Sequence, residues 1–366
     1  MKILWFTWKD RRNPQAGGAE LVNEELAKRL AQDGHEVIFI VGGFSGGPAE
    51  ENREGFKITR VGNKWTVYLK AFQHYRKHLK KWPDLVIDEI NTVPFFAKFY
   101  SKQKNILFVP QLCRKIWFHQ IFFPLNLLGY ILEPIYLRLL NDRKVITISQ
   151  SSKDDLKRYG FKESNISIIP LGTELEPVAN PGAIIKFKKP TLLSLGAIRS
   201  MKRTDHVIKA FELAKKSVPD LELMVAGDPF GVYGRKVLNL IKKSDYSESI
   251  QYLGRVSVVK KIELMQRSHL IAVPSVKEGW GLIVTEANSQ GTPAVVYNVD
   301  GLRDAVRNNQ TGLVCDHNTP EDMASKIADV LRKPETYKTL QENGWEWNKE
   351  INFEKGYKQF LSILNE

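Results

Sequence analysis

The sequence predicts an α/β protein of two Rossmann-like domains, each a doubly wound parallel sheet. Three observations lead there. The 366 residues exceed what one core ordinarily organises. Short apolar runs alternate with stretches of helical periodicity along most of the chain, the pattern of strands joined by helical crossovers. The alternation breaks once, at Glu176-Pro177-Val178-Ala179-Asn180-Pro181-Gly182, and then restarts. The predicted domains are therefore 1–175 and 176–345. With 43% hydrophobic and 26% charged residues, the chain can bury two cores.

In the first half, Lys2 to Trp8 reads as a buried strand. A loop carrying Gly17-Gly18 leads to a helix over Ala19 to Asp33, with Val22, Leu26 and Leu30 on one face, and Glu36 to Gly42 is the next strand. A glycine pair most often makes a tight turn. Between a first strand and a first helix it also lets backbone approach a diphosphate. Neither G-x-G-x-x-G nor G-x-x-x-x-G-K-[ST] occurs, which excludes the dinucleotide fingerprint and the P-loop.

Lys57 to Val61 is a short strand, and Thr66 to Trp82 reads as a basic amphipathic helix. From Gly55 to Pro83 there are eight basic residues and no acid, within a chain of net charge +13. Such a stretch is either a solvated surface or a contact for an anionic partner. Asp84 to Ile87 is a strand, after which Asp88 and Glu89 either meet a ligand or cap a helix over 93–100. Asn105 to Val109 is a strand too. His119 follows in an aromatic run with Trp117, Phe118, Phe122 and Phe123, a setting in which histidine is usually structural. Pro124 to Leu140 reads as an apolar helix, either core or the wall of a lipid-acceptor cleft. Lys144 to Ser149 and Asn165 to Pro170 are strands flanking a helix over Ser151 to Tyr159, capped by Ser151 or Ser152 with Asp154 and Asp155 in its first turn.

In the second half, the strand Thr191 to Leu195 ends at Gly196. Arg199 and Lys202 then precede a helix over Thr204 to Ser217, where basic side chains can neutralise a diphosphate leaving group or simply face water. Strands at 221–226 and 250–253 also end in glycine. His269 to Ser275 is a strand, followed by Glu278-Gly279-Trp280-Gly281-Leu282 and a helix containing Glu286. Two carboxylates eight positions apart around a glycine turn place one acid on the loop and one in the helix. Strand ends of open α/β sheets are where ligands bind, and helix starts there offer N–H groups to phosphate. Read alone, the two glutamates could equally be a solvated pair. The glycines and the next strand, Gly291 to Val296, weigh against that.

This Glu278-to-Glu286 spacing resembles the E-x7-E pattern of retaining glycosyltransferases of family 4, the glycogen-synthase-like group with the GT-B fold, and the resemblance extends over nearly the whole chain. It implies two Rossmann-like domains facing a central cleft, with a C-terminal helix (346–366) packing back on the first. It implies transfer, with retention, of a sugar from a UDP-, GDP- or ADP-linked donor to a glycan or lipid-linked acceptor, as in polysaccharide or glycolipid synthesis. By resemblance Arg199 and Lys202 bind the diphosphate, Arg199 standing in for an arginine the family often has at position 197. Glu278 meets the donor sugar and Glu286 the ribose. Gly279, Trp280, Gly281 and Leu282 line sugar and phosphate. Arg255 and Val256 face the base, and Gly17 and Gly18 the diphosphate and acceptor. The family often has a histidine where Pro110 stands here; His119 is the nearest candidate.

No organic cofactor is implied, and with the basic pair present and no Asp-x-Asp triplet, no metal. A peripheral contact of 64–82 with an anionic membrane is expected, and nucleic acid is not. The widely separated Cys113 and Cys315, with a charged start to the chain, make cytoplasm the expected compartment, with peripheral attachment to the inner membrane face. The longest uncharged run, Ile116 to Leu132, falls short of a membrane span. Other readings are a nucleotide-sugar epimerase, which needs acid/base pairs beside the sugar that are not evident, and a non-catalytic binder of nucleotide sugars or nucleic acid.

Overall fold

The computed structural model describes all 366 residues, which fall into two compact units, Met1–Gly172 with Phe353–Glu366, and Thr173–Asn352. In the first unit the elements run β1 (Lys2–Phe6), α1 (Gly18–Gln32), β2 (Glu36–Gly42), β3 (Glu50–Arg53), β4 (Phe56–Val61), α2 (Val67–His74), β5 (Leu85–Glu89), β6 (Lys104–Phe108), α3 (Trp117–Gln120), α4 (Leu125–Leu140), β7 (Lys144–Thr147), α5 (Gln150–Arg158) and β8 (Ile166–Ile168). They form one eight-stranded sheet in the order β3-β4-β2-β1-β5-β6-β7-β8. All pairs are parallel except β3 on β4. The chain leaves β1 for β2 on one side and returns to β5 on the other, so a switch point lies between β1 and β5.

Both faces of this sheet are covered, which is why its central strands are continuous apolar runs rather than alternating ones. On one face α2 sets Val67 and Ala71, and the turn after it Tyr75, on Leu4, Phe6 and Val86, and α4 sets Leu137 and Leu140 on Leu107 and Val145. On the other, Trp5 meets Phe39 and Phe108.

Several local expectations change. The basic helix over 66–82 ends at His74 and continues as a π-helical turn, Tyr75–Leu79. The helix expected over 93–100 is only a 3-10 turn at Ala97–Phe99. The cause is Asp88, whose carboxylate accepts from the N–H groups of Phe95 (2.8 Å) and Ala97 (2.9 Å), while Phe96 takes a left-handed φ of 58°. The cap of α5 is Ser149, which accepts from Ser152 N–H, so the helix starts one residue earlier and no acid lies in its first turn.

The second unit runs β9 (Thr191–Leu195), α6 (Thr204–Lys215), β10 (Glu222–Ala226), α7 (Gly231–Lys243), β11 (Ile250–Gly254), α8 (Val258–Arg267), β12 (Leu270–Val273), α9 (Leu282–Ser289), β13 (Ala294–Val296), β14 (Gly312–Val314), α10 (Pro320–Leu331) and α11 (Pro334–Asn348). Its six parallel strands are ordered β11-β10-β9-β12-β13-β14, with the switch point between β9 and β12. The stretch before β9 is tied down by Lys186, whose ammonium donates to the carbonyls of Gln266 (2.7 Å), Ser268 (2.9 Å) and Gly291 (2.7 Å) and to Thr292 Oγ1 (3.0 Å).

The expected terminal helix 346–366 is divided. Trp345, Glu346 and Trp347 complete α11 in the second unit, where Trp345 Nε1–H donates to Val178 O at 2.7 Å. A separate α12 (Phe353–Asn365) returns to the first unit, stacking Phe360 on Trp5 at 5.7 Å and donating from Tyr357 OH to Asp33 at 2.6 Å. The first unit thus ends at Gly172 rather than 175, and resumes at Phe353.

Candidate active site

In the second unit the predicted residues other than Arg255 and Val256, which follow β11, lie after the carboxyl ends of β9 and β12, on either side of the switch point. Three backbone features bring them together. The turn after β9 is stitched to the loop after β12 by Val276 N–H donating to Met201 O at 2.8 Å. Glu278 N–H donates to Asp300 O, which anchors that loop to the turn after β13. Gly301, at φ 78°, lets the two loops approach: a Cβ there would lie 2.2 Å from the Glu278 carbonyl oxygen.

Lys202 and Glu278 meet directly. The ammonium lies 2.5 Å from Glu278 Oε1, which also accepts from Ser275 Oγ–H at 2.6 Å. Both side chains are partly exposed, so a ligand can reach them. Arg199, three residues before Lys202, places its guanidinium 5.1 Å from the centre of the Phe230 ring, and its buried Nε–H has no partner. A buried guanidinium N–H without a partner is unsatisfied by hydrogen-bond accounting.

Gly279 and Gly281 flank Trp280, whose indole N–H donates to Thr285 Oγ1 at 2.9 Å. Gly281, at φ 84°, caps α9 and turns Leu282 into its first residue; no side chain occupies that cap. On the buried side of α9, Glu286 accepts from Lys261 Nζ at 2.6 Å. Burial pushes its carboxyl above the usual carboxylate range and Lys261 opposes that rise. Lys261 escaped the sequence reading because Lys260-Lys261 looks like any surface pair on α8; only the packing of α8 beside α9 assigns it. Lys277 is a similar case, donating to Asp300 at 2.7 Å and holding the loop under Glu278. Val256 packs partly against the second unit's core, and Arg255 is exposed, 3.8 Å from Asp228.

In the first unit, Gly17 and Gly18 open α1 at the switch point. Gly17 N–H donates to Glu20 at 2.6 Å, and Lys9, 3.4 Å from Glu20, donates to Gln15 O at 2.6 Å. Below them Glu89 ends β5, wholly buried, accepting from the amides of Asn23 (2.7 Å) and Asn91 (3.1 Å). Burial drives its pKa up to about 8, against the Thr7 hydroxyl, with Glu20 adding to the rise. Of the two acids considered after β5, Asp88 is a backbone cap, and Glu89 is the group at the switch point. His119 lies on the exposed side of α3 and outside this cluster, and Pro110 accepts from Ser152 Oγ–H at 2.9 Å through its carbonyl. No cluster of three or more His, Cys, Asp or Glu residues is arranged to hold a metal ion.

The chain's own likenesses agree with this geometry. Residues 182–347 match the family model described as glycosyl transferases group 1, and residues 16–177 the model described as glycosyltransferase family 4. An uncharacterized glycosyltransferase of Haemophilus influenzae is 28% identical over 363 residues, covering 95% of this chain and 96% of that protein. Among solved structures, sucrose-phosphate synthase from Thermosynechococcus elongatus superposes with a TM-score of 0.83 at 19% identity, covering 100% of this chain and 98% of the other. HepE of Anabaena in complex with UDP-glucose superposes with a TM-score of 0.75 at 16% identity, covering 100% and 99%.

Proposed function

The chain belongs to the glycosyltransferases, with a family 4 first unit and a group 1 second unit on the GT-B fold, and from that premise we propose how its residues carry out the transfer and on what acceptor. The enzyme moves a hexosyl group from a nucleotide sugar. The observation that carries the residue assignment is the Lys202–Glu278 contact at 2.5 Å, at the switch point between β9 and β12, with Arg199 three residues before Lys202.

In this reading the donor diphosphate lies on Arg199, Lys202 and the start of α9. The bond from the sugar carbon to the phosphate oxygen breaks, and its electron pair leaves with the nucleoside diphosphate. The charge that develops there is met by two fixed cations, an interaction stronger in the transition state than in the ground state. Glu278, held by Ser275 and Lys202, accepts from hydroxyls of the donor sugar. Glu286 accepts from the ribose, with Lys261 opposing the rise that burial gives its carboxyl. Val256 and Arg255 border the base; UDP is favoured by HepE, whose structure holds UDP-glucose.

Glu278 Oε1 is occupied by two donors, so it is poorly placed as a covalent nucleophile. The acceptor oxygen then attacks from the face the diphosphate leaves, its proton passing to the departing phosphate oxygen, and the configuration is retained. The basic pair takes the charge that a metal would otherwise take. The acceptor is a glycan or lipid-linked hydroxyl compound at Gly17-Gly18, and the acid-free basic stretch 64–82 draws the first unit to an anionic membrane face.

The test is nucleoside diphosphate release from a panel of UDP-, GDP- and ADP-sugars, with extracted glycans and lipids as acceptors and chelator present. Release is expected with one donor, and Glu278→Ala reduces it by about 10²-fold or more. Equal release by that variant would overturn the assignment.

A further inference from the structure

Many of the first unit's exposed apolar side chains gather on one helix and the loop before it. On α4 the buried side chains Glu133, Tyr136, Leu137 and Leu140 form one face. The opposite face, Leu125, Leu128, Leu132, Ile135 and Leu139, is solvent-exposed, and Leu127 and Ile131 beside it are exposed as well. The preceding loop adds Phe122 and Phe123, 66% and 74% exposed, and α3 adds Phe118, whose ring lies 5.3 Å from Tyr130. Trp117 seats α3 against Gly129, where a Cβ would lie 2.5 Å from the indole, so the aromatic loop and α4 form one continuous surface. An exposed patch of this extent marks an interaction site.

Four features say what covers it. The apolar arc is broader than the narrow seam one partner helix needs. No exposed acid interrupts it: Glu133, the one carboxylate between Ile116 and Asn141, is buried and accepts from Cys113 N–H (2.7 Å), Arg114 N–H (2.7 Å) and Trp117 Nε1–H (2.9 Å). Exposed Lys115 and Arg138 flank it. Finally, α2 lies on the same face of the sheet, because Val86 and Asp88 alternate onto one side and Asp88 is in register with Leu107 beneath α4. The exposed cations Lys70, Lys77, Lys80 and Lys81, which have no ion-pair partner, and the exposed Trp65 and Leu69 are therefore on that side too. No helix is long and apolar enough to cross a membrane. A 16-residue helix spans about 24 Å, short of a bilayer's hydrocarbon, and fits lying in its surface.

We propose that the outer face of α3, the Phe122-Phe123 loop and α4 inserts into the boundary between headgroups and acyl chains of an anionic bilayer, with the cations of 64–82 attracting the headgroups beside it. The inference rests on the reading that the first unit works at an anionic lipid surface, and it adds to the peripheral contact of 64–82 an inserted element at 118–139. Acyl boundary takes Phe and Leu, and anionic headgroups take Lys and Arg, so both halves of this surface are satisfied at once.

The test uses the full chain. Cys113 and Cys315 are buried (4% and 1% exposed), so a polarity-sensitive fluorophore can be attached selectively to Phe123→Cys. With vesicles of phosphatidylcholine and phosphatidylglycerol, the label is expected to shift to the blue and to be quenched by acyl-chain quenchers. A combined Phe122→Ser, Phe123→Ser, Leu128→Ser variant, altered only at exposed positions, keeps its melting temperature and loses about tenfold or more in vesicle partitioning. Three results overturn the proposal. If vesicles bind through Lys77, Lys80 and Lys81 while the label stays in water, the insertion is wrong and the 64–82 reading stands. If no anionic vesicle binds, both fail. If the lipid-free protein dimerises with concentration and buries the label, a second copy is the occupant.

Discussion

Lys202 and Glu278 act as a pair. Each neutralises the other at 2.5 Å, so removing one leaves a charge without its partner. Lys202→Ala is expected to lower kcat/KM by about 10²–10³-fold, mostly in kcat, because the charge it meets develops in the transition state. Combining it with Glu278→Ala costs much less than the sum of the two, since the residues touch. Strict additivity in a double-mutant cycle would separate them. Glu89 carries a pH effect of its own. Its folded pKa, about 8, lies above the value of a free glutamate, so the folded state holds a proton that the unfolded chain has released between roughly pH 4.5 and pH 8. Stability from this group therefore falls as pH rises through that window. Glu89→Gln removes the dependence: melting curves of variant and parent are expected to agree near pH 5 and diverge toward pH 8 in favour of the variant. The opposite divergence would show Glu89 ionised in the folded state.

At the scale of elements, the site depends on loops brought into contact by glycine. Gly301→Ala sets a Cβ against the Glu278 carbonyl at a left-handed φ, so the loop after β12 must shift. The expected result is donor turnover reduced by about 10²-fold, since displacement by an ångström costs that much, with modest change in melting temperature. Wild-type turnover in this variant would mean that the two loops adjust freely. What the sequence makes legible follows the same division. Glu278 through Glu286 is readable because strand, glycine turn and helix are contiguous, and their chemistry is local. Lys261 is not, because its pairing with Glu286 depends on two helices packing. β3 is hidden for a different reason: Glu50-Glu51-Asn52-Arg53 has no apolar alternation, and its Glu51 and Arg53 sit in an ionic network with Asp10, Glu24 and Arg60. On α4, composition shows an apolar helix, yet periodicity cannot say which side the protein covers. The aromatic run around His119 reads as a structural setting, yet only Trp117 is buried, and Phe118, Phe122 and Phe123 are exposed.

At the scale of the whole molecule, chain order and structural unit disagree at one place, and this has a measurable consequence. α12 is last in sequence but belongs to the first unit, where fully buried Phe360 lies between Trp5 and Phe108. The second unit is complete without it: its sheet, its cores and the Lys202–Glu278 contact all lie within Thr173–Asn352. Phe360→Ala therefore removes a ring from the first unit's core at a cost of about 3–5 kcal/mol, leaving the nucleotide side intact. Calorimetry should show the transition of the first unit moved to lower temperature. If the donor site lies in the second unit as proposed, a nucleoside diphosphate should still raise the other transition by the same amount as in the parent protein. Loss of that ligand-induced rise in Phe360→Ala, with the protein still folded, would mean that the donor site draws on the first unit's core and that the two units do not melt as separate bodies.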